Sequence, residues 1–209
     1  ELYRDEIRTA KLVACPGCYP TAAILALAPL LQRKLIMADD IIIDAKSGGS
    51  GAGRSVKEQN LFSEVAEGMH AYGVANHRHA PEIEQELAHA AGQAMMVNFT
   101  PHLVPMNRGE YETIYVKLSA GVSADDVRAA LAERYDTEPF VHVVPKDMVP
   151  ASRHVRGSND CMIGVFEDRI PGRAIILSTI DNLVKGSSGQ AIQNMNLMYG
   201  LPEVTGLEQ

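Results

Sequence analysis

The chain of 209 residues is 46% hydrophobic and 22% charged, with 19 Lys and Arg against 26 Asp and Glu and a formal net charge of −7. That is globular composition for one domain or one and a half, and it lacks the clustered basic surface that nucleic acid or an anionic membrane demands. The longest apolar stretch, Ala22 to Leu31, falls short of the roughly 20 residues of a membrane span and is broken by Pro29.

In chain order, Leu12 to Ala14 reads as a short apolar strand, followed by a Pro/Gly turn and a helix from near Pro20 to about Lys34, with Pro20 in the first turn where no N–H is needed. A second strand, Ile41 to Ala45, runs into Lys46 to Arg54. Four glycines between Gly48 and Gly53 predict a backbone-exposed loop there without regular structure. Pro81 to about Gly92 has a helix start and stop. Met95 to Val104 and Tyr111 to Leu118 alternate apolar and polar residues around the turn Met106-Asn107-Arg108-Gly109, which predicts an antiparallel pair. Ala124 to Arg134 reads as a helix. Val141 to Val144, Met162 to Glu167 and Ala174 to Ile180 read as β-branched strands, and a last helix spans about Gly189 to Tyr199. The fold class expected is α+β, a mixed, mainly antiparallel sheet covered by helices on one face.

Three cysteines do not make a disulfide framework, and no secretory leader precedes the first charges, so a reducing cytoplasm is expected. The chain opens Glu1-Leu2-Tyr3-Arg4 without Met, which predicts a piece of a longer protein.

The strongest chemical signal is Ala14-Cys15-Pro16-Gly17-Cys18-Tyr19-Pro20-Thr21. It puts Cys18 at a helix entrance, where first-turn N–H groups and the helix dipole favour thiolate over thiol. A free Cys is otherwise most often a small buried hydrophobe. Cys15-x-x-Cys18 also admits thiol–disulfide exchange, although in thioredoxin-like folds the first Cys of the pair begins the helix, and no matching βαβ context is present. Cys161, inside a strand, reads as structural.

A second cluster, Asn76-His77-Arg78-His79-Ala80-Pro81-Glu82, carries two imidazoles two residues apart, which an extended backbone would project to one side. Histidine is suited to move a proton at neutral pH, and a Cys and His about 60 residues apart meet only through folding, the usual pattern of an activated thiol and its base. A surface His pair at a helix entrance is the alternative. Zinc held by His77, His79 and a Cys is a further one, but the compact four-ligand spacing is missing, so no metal is expected. The glycine loop, with Ser47 and Ser50, offers N–H and hydroxyl donors to an anion. It is no P-loop, and no Gly-x-Gly-x-x-Gly follows a first strand.

The run Val13 to Ala22, continued by Ala26-Leu27-Ala28-Pro29, resembles the active-site signature of N-acetyl-γ-glutamyl-phosphate reductases. The resemblance extends in order to Ser47–Arg54, Asn76–Ile83, Phe99–Met106, Asp181-Asn182-Leu183 and Lys185–Ala191, nearly the whole chain; Cys15 falls where the family varies. It implies NADP-dependent reduction of N-acetyl-γ-glutamyl phosphate to N-acetylglutamate 5-semialdehyde in arginine biosynthesis, through a cysteine thioester. It also implies the catalytic-domain fold of aspartate-semialdehyde and glyceraldehyde-phosphate dehydrogenases, and a homo-oligomer.

On this resemblance residues 1–180 are expected to form a catalytic and dimerisation domain. Residues 181–209 would be a C-terminal helix segment packing on an N-terminal NADP-binding Rossmann domain absent from the chain, so that the isolated piece would be an inactive oligomerisation fragment. Cys18 would attack the acyl phosphate, with His79 as base and His77 as substrate or relay partner. Ser47, Arg54, Arg78 and Arg108 are candidate contacts to phosphate and carboxylate. Gly186, Gly189 and Gln190 would approach the nicotinamide of NADPH.

Overall fold

The computed structural model describes residues 1–54 and 57–208, with backbone alone at positions 59 and 62. Among the described residues seven strands form one sheet. They are β1 (Ile41–Gly48), β2 (His70–Ala71), β3 (Val97–Val104), β4 (Glu110–Lys117), β5 (Val141–Val143), β6 (Cys161–Glu167) and β7 (Arg173–Ile180), in the spatial order β2-β3-β1-β4-β7-β6-β5. The β1–β3 and β5–β6 pairs are parallel and the others antiparallel, so the sheet is mixed and mainly antiparallel, as its strand pattern predicts.

The predicted pairing of the segments around Met106–Gly109 is corrected. β3 and β4 do not pair with each other: β1 lies between them, parallel to β3 with Ile43 opposite Phe99 and antiparallel to β4 with Ile43 opposite Ile114. The intervening loop is no hairpin turn because its carbonyls serve the end of β1. Gly48, Gly49 and Ser50 donate their N–H groups to the carbonyls of Gly109, Met106 and Asn107 at 2.9, 2.8 and 3.1 Å. The same bonds correct the loop expected after Ala45, since the strand runs on to Gly48 and a 3-10 turn covers Gly49–Ala52.

The helices are α1 (Arg4–Thr9), α2 (Cys18–Gln32), α3 (Phe62–Val65), α4 (Ala80–Ala91), α5 (Ala124–Tyr135), α6 (Ser152–Val155) and α7 (Gly189–Met198). Tyr19 through Leu31 are all buried, as a helix apolar all round must be, because α2 is enclosed by the sheet on one side and by α4 and α5 on the others. The inward residues of β1 (Ile41, Ile43, Ala45) and of β4 (Ile114, Val116) meet it with period two. In the first turns of α2 the same inward phase brings up Glu110 and Glu112 instead of apolar residues, both fully buried.

No strand forms at Leu12–Ala14. The segment finds no sheet partner and Leu12 is 89% exposed, while Val13 and Ala14 line a cavity beside α1 and α4. After β7 the chain makes a turn of π-helix, Val184–Ser188, with Gly186 and Ser188 N–H groups bonded five residues back to Asp181 and Leu183, and passes directly into α7. Among the described residues no helix is long and apolar enough to cross a membrane.

Candidate active site

Cys18 is the first residue of α2, two positions earlier than the helix start expected at Pro20. Gly17 is its N-cap, with extended backbone; the Gly17 N–H donates to Glu82 Oε1 at 2.9 Å, which ties the helix entrance to α4. Two glycines let other elements close on the half-buried thiol. A Cβ on Gly17 would stand 2.4 Å from His79 Nε2, and a Cβ on Gly186 would stand 2.7 Å from the Cβ of Cys18. The π-turn is therefore seated against the cysteine, as such turns often are at functional positions.

Cys18, His77, Arg78, His79, Tyr72 and Asn76 share a cavity of about 450 Å³. The extended backbone expected between the histidines is not what joins them. His79 is helical at the N-cap of α4, and residues 77–79 form a turn whose rings nevertheless meet edge to face at 4.8 Å. The His79 backbone N–H donates to His77 Nδ1 at 3.1 Å, which leaves the proton of neutral His77 on Nε2. Tyr19 packs against both rings, and its hydroxyl meets that of Tyr72 at 3.0 Å.

The electrostatics of the thiol differ from the expectation of an acidic cysteine. The Tyr19 N–H at the helix entrance does favour thiolate, but burial and, after it, the Glu110 carboxyl beside the sulfur push the thiol well above its ordinary range. A helix terminus is worth about 0.3–1 kcal/mol when exposed, which desolvation and an adjacent acid outweigh. Burial, then His77 and Arg78, lower His79 to about 4, and His77 is lowered by burial and Arg78. Both imidazoles are thus neutral near pH 7. The Glu110 carboxyl is raised by burial to about 8, and burial followed by Glu110 raises Glu112 well above the carboxylate range.

The other candidates divide. Arg78 lines the cavity with Cys18, whereas Arg108 is bound to buried Asp181 at 3.0 Å and Arg54 is exposed. Ser47 is fully buried with its hydroxyl donating to the Gly48 carbonyl at 3.2 Å, so it faces the protein interior rather than the cavity. Gly189 packs against Asn159 and Val184. Gln190 lines a second, larger cavity of about 700 Å³ on the other side of the α2 entrance, and among the described residues its buried Oε1 has no hydrogen-bond partner. Cys15 opens on that second cavity, where Asn194 Nδ2 donates to its sulfur at 3.5 Å, so the two thiols of Cys15-x-x-Cys18 face different spaces.

The sequence reading passed over Glu110, Tyr19 and Tyr72. Its available signal was two acids in phase with the apolar face of β4. Among the described residues the carboxylates of Glu1, Glu138 and Glu203 lie close together, but Arg4 and Lys185 already pair with them.

The chain is 59% identical over 209 residues to the N-acetyl-gamma-glutamyl-phosphate reductase of Afipia carboxidovorans, covering 100% of this chain and 59% of that protein. Over 207 residues it is 58% identical to the probable chloroplastic N-acetyl-gamma-glutamyl-phosphate reductase of Arabidopsis thaliana, covering 99% and 52%. It spans between half and three-fifths of the length of these curated relatives. Crystal structures of aspartate semialdehyde dehydrogenase II from Vibrio cholerae and of a probable aspartate-semialdehyde dehydrogenase from Pseudomonas aeruginosa superpose with a TM-score of 0.73 at 19% and 16% identity. Each covers 94% of this chain, and 65% and 66% of the respective neighbour, which is a likeness of fold. The sequence profile of the semialdehyde dehydrogenase dimerisation domain matches residues 18–182, most of the chain, and to that family the chain belongs.

Proposed function

We propose that this chain is the catalytic and dimerisation portion of an N-acetyl-γ-glutamyl-phosphate reductase of arginine biosynthesis, forming N-acetylglutamate 5-semialdehyde and phosphate. The observation that carries this reading is the thiol of Cys18 opening on one cavity with His77, His79 and Arg78. Thiolate suits the chemistry at both ends: it attacks the acyl phosphate carbon as phosphate leaves, and it departs readily when the reduced adduct collapses to aldehyde.

Arg78 is the guanidinium placed to hold the dianionic phosphate. His79, neutral and with its Nδ1 buried and unpartnered, is suited to exchange a proton with, or donate a hydrogen bond to, the groups that react at Cys18. The His79 backbone N–H, donating to His77 Nδ1, fixes the His77 ring beside it as the proposed substrate or relay partner.

NADPH, when bound, supplies the hydride. Gly186, packed against Cys18, and Gln190, whose buried Oε1 has no hydrogen-bond partner among the described residues, are the residues proposed to approach its nicotinamide end, with Oε1 as an acceptor for a carboxamide N–H. The rest of the cofactor would be held by a nucleotide-binding domain outside residues 1–209, on which residues 181–209 would pack, so the isolated chain is expected to be inactive. The semialdehyde dehydrogenase dimerisation match supports a homodimer.

In the full-length protein, Cys18→Ser is expected to abolish phosphate-dependent reduction of NADP by the aldehyde, and Cys15→Ala to leave that turnover largely intact. Turnover that survives Cys18→Ser would overturn the reading. Loss of turnover in Cys15→Ala would instead restore the dithiol reading.

A further inference from the structure

We propose that Lys185 is a positioning residue for the reactive thiol: its buried ion pair with Glu1 holds the π-turn so that Gly186 stays seated on Cys18. The inference rests on Cys18 being the nucleophile of the proposed reductase.

Lys185 lies within the π-turn Val184–Ser188, and its side chain is 0% exposed against 3% for that of Glu1. The ammonium donates to Glu1 Oε1 and, at 2.7 Å, to Gln193 Oε1, and it stands 5.5 Å from the centre of the Phe140 ring. Gln193 Nε2 closes the arrangement by donating to the same Glu1 oxygen and to Glu203 Oε1, each at 2.8 Å. The neighbouring carboxylates of Glu138 and Glu203 are both taken up by Arg4. Glu1 is therefore the carboxylate that compensates Lys185.

The residue after Lys185 is Gly186. An added Cβ there would stand 2.7 Å from the Cβ and 3.2 Å from the Cα of Cys18, so the turn rests on the cysteine with no side chain between them. One residue thus anchors the turn in the interior, and the next places it on the thiol.

A buried ion pair is a poor source of stability, because desolvation of both ions offsets their attraction, yet removing one partner leaves a buried charge without compensation. Loss of the Glu1 charge drives the Lys185 ammonium towards water, and the turn must open to let it pass. Gly186, being adjacent, then lifts from Cys18. Glu1 leads into α1, which Arg4 ties to Glu138 and Glu203, so the seating of the turn depends on the docking of this first segment.

The test is alkylation of the full-length protein by iodoacetamide, read cysteine by cysteine with peptide mass spectrometry, together with steady-state kinetics. Glu1→Gln keeps the shape of the side chain and removes its charge. It is expected to speed alkylation of Cys18 by about fivefold or more, as the thiol gains access and solvation. The fully buried Cys161 should stay as protected as in the native protein. The variant is also expected to lower kcat by on the order of tenfold with the KM for the acyl phosphate unchanged, because neither Glu1 nor Lys185 lines the cavity of Cys18, His77 and Arg78. Glu1→Asp keeps the charge but draws it back along the chain; it should shift Cys18 alkylation the same way by a smaller factor, and it carries the test if the Gln variant does not fold. Cys18 alkylation at the native rate overturns the proposal. So does a rise shared by Cys161, which marks general loosening rather than a lifted turn, and so does an unchanged kcat. Alkylation needs no substrate, so its failure is distinct from survival of turnover in Cys18→Ser, which would overturn the reductase reading itself.

Discussion

Gly17 and His79 touch more closely than any other residue type at position 17 would allow: an added Cβ would lie 2.4 Å from Nε2 and 2.7 Å from Cε1 of the imidazole. The backbone of Gly17, at φ −65 and ψ 166, is open to any amino acid, so the requirement for glycine is steric and comes from the ring. Gly17→Ala must displace His79 from the residue preceding the proposed nucleophile, Cys18. A misplacement of about 1 Å in an active site can cost on the order of 10²-fold in rate. Gly17→Ala in the full-length protein is expected to lose activity on that scale in kcat with little change in melting temperature. An unchanged kcat would show that the position of His79 is immaterial to turnover.

The two fully buried acids of β4 make a prediction about stability. Among the described residues Glu112 has no hydrogen-bond partner for its oxygens, and burial together with Glu110 raises its pKa in the folded state. A carboxyl raised by folding contributes stability that is fully present below its unfolded value near 4.5 and is lost as pH climbs towards the folded value. Glu112→Gln removes that loss while keeping the shape. The variant is expected to match the native protein in melting temperature near pH 4 and to exceed it at pH 8. A variant less stable than the native protein at pH 8 would mean that ionised Glu112 makes a favourable interaction that outweighs its burial.

How far the amino-acid pattern disclosed this site depends on whether its signal is local. Strand identity in β1, β4, β6 and β7 was legible because inward apolar residues recur every second position, and α4 was legible from Pro81 and from Gly92, which caps it in the left-handed conformation. Cys18, His77 and His79 stood out because their residue types are chemically reactive and their neighbours are turn formers. The strand order was hidden, since the carbonyls of Met106, Asn107 and Gly109 bond to the end of β1, a partner some 60 residues earlier that no local turn rule anticipates. The electrostatics of Cys18 were hidden for the same reason. The helix entrance is read from adjacent residues, whereas the acid that opposes it comes from Glu110 on a different strand. Ser47 and Arg108 were candidate ligand contacts because they lie in or beside the motifs that carry the family resemblance. Folding turns one into the interior and spends the other on Asp181.

The face of the sheet opposite α2 makes the last prediction. There Ile42, Tyr115, Ile175 and Phe166 stand side by side across four strands, because Ile42 is in register with Tyr115, Tyr115 with Ile175, and Ile175 with Phe166. All four are half-buried in the single chain. A contiguous apolar row of this kind on a sheet surface marks a contact with another protein surface, and in a chain of this family the proposed partner is a second copy packing sheet to sheet. A symmetric contact presents the same row to itself, so one substitution acts twice. Ile175→Asp would bring two carboxylates into an apolar interface without partners, at a cost of several kcal/mol each. The full-length variant is expected to sediment as a folded monomer at micromolar concentration, and the native protein as the proposed dimer. A variant that remains dimeric would place the interface elsewhere on the molecule.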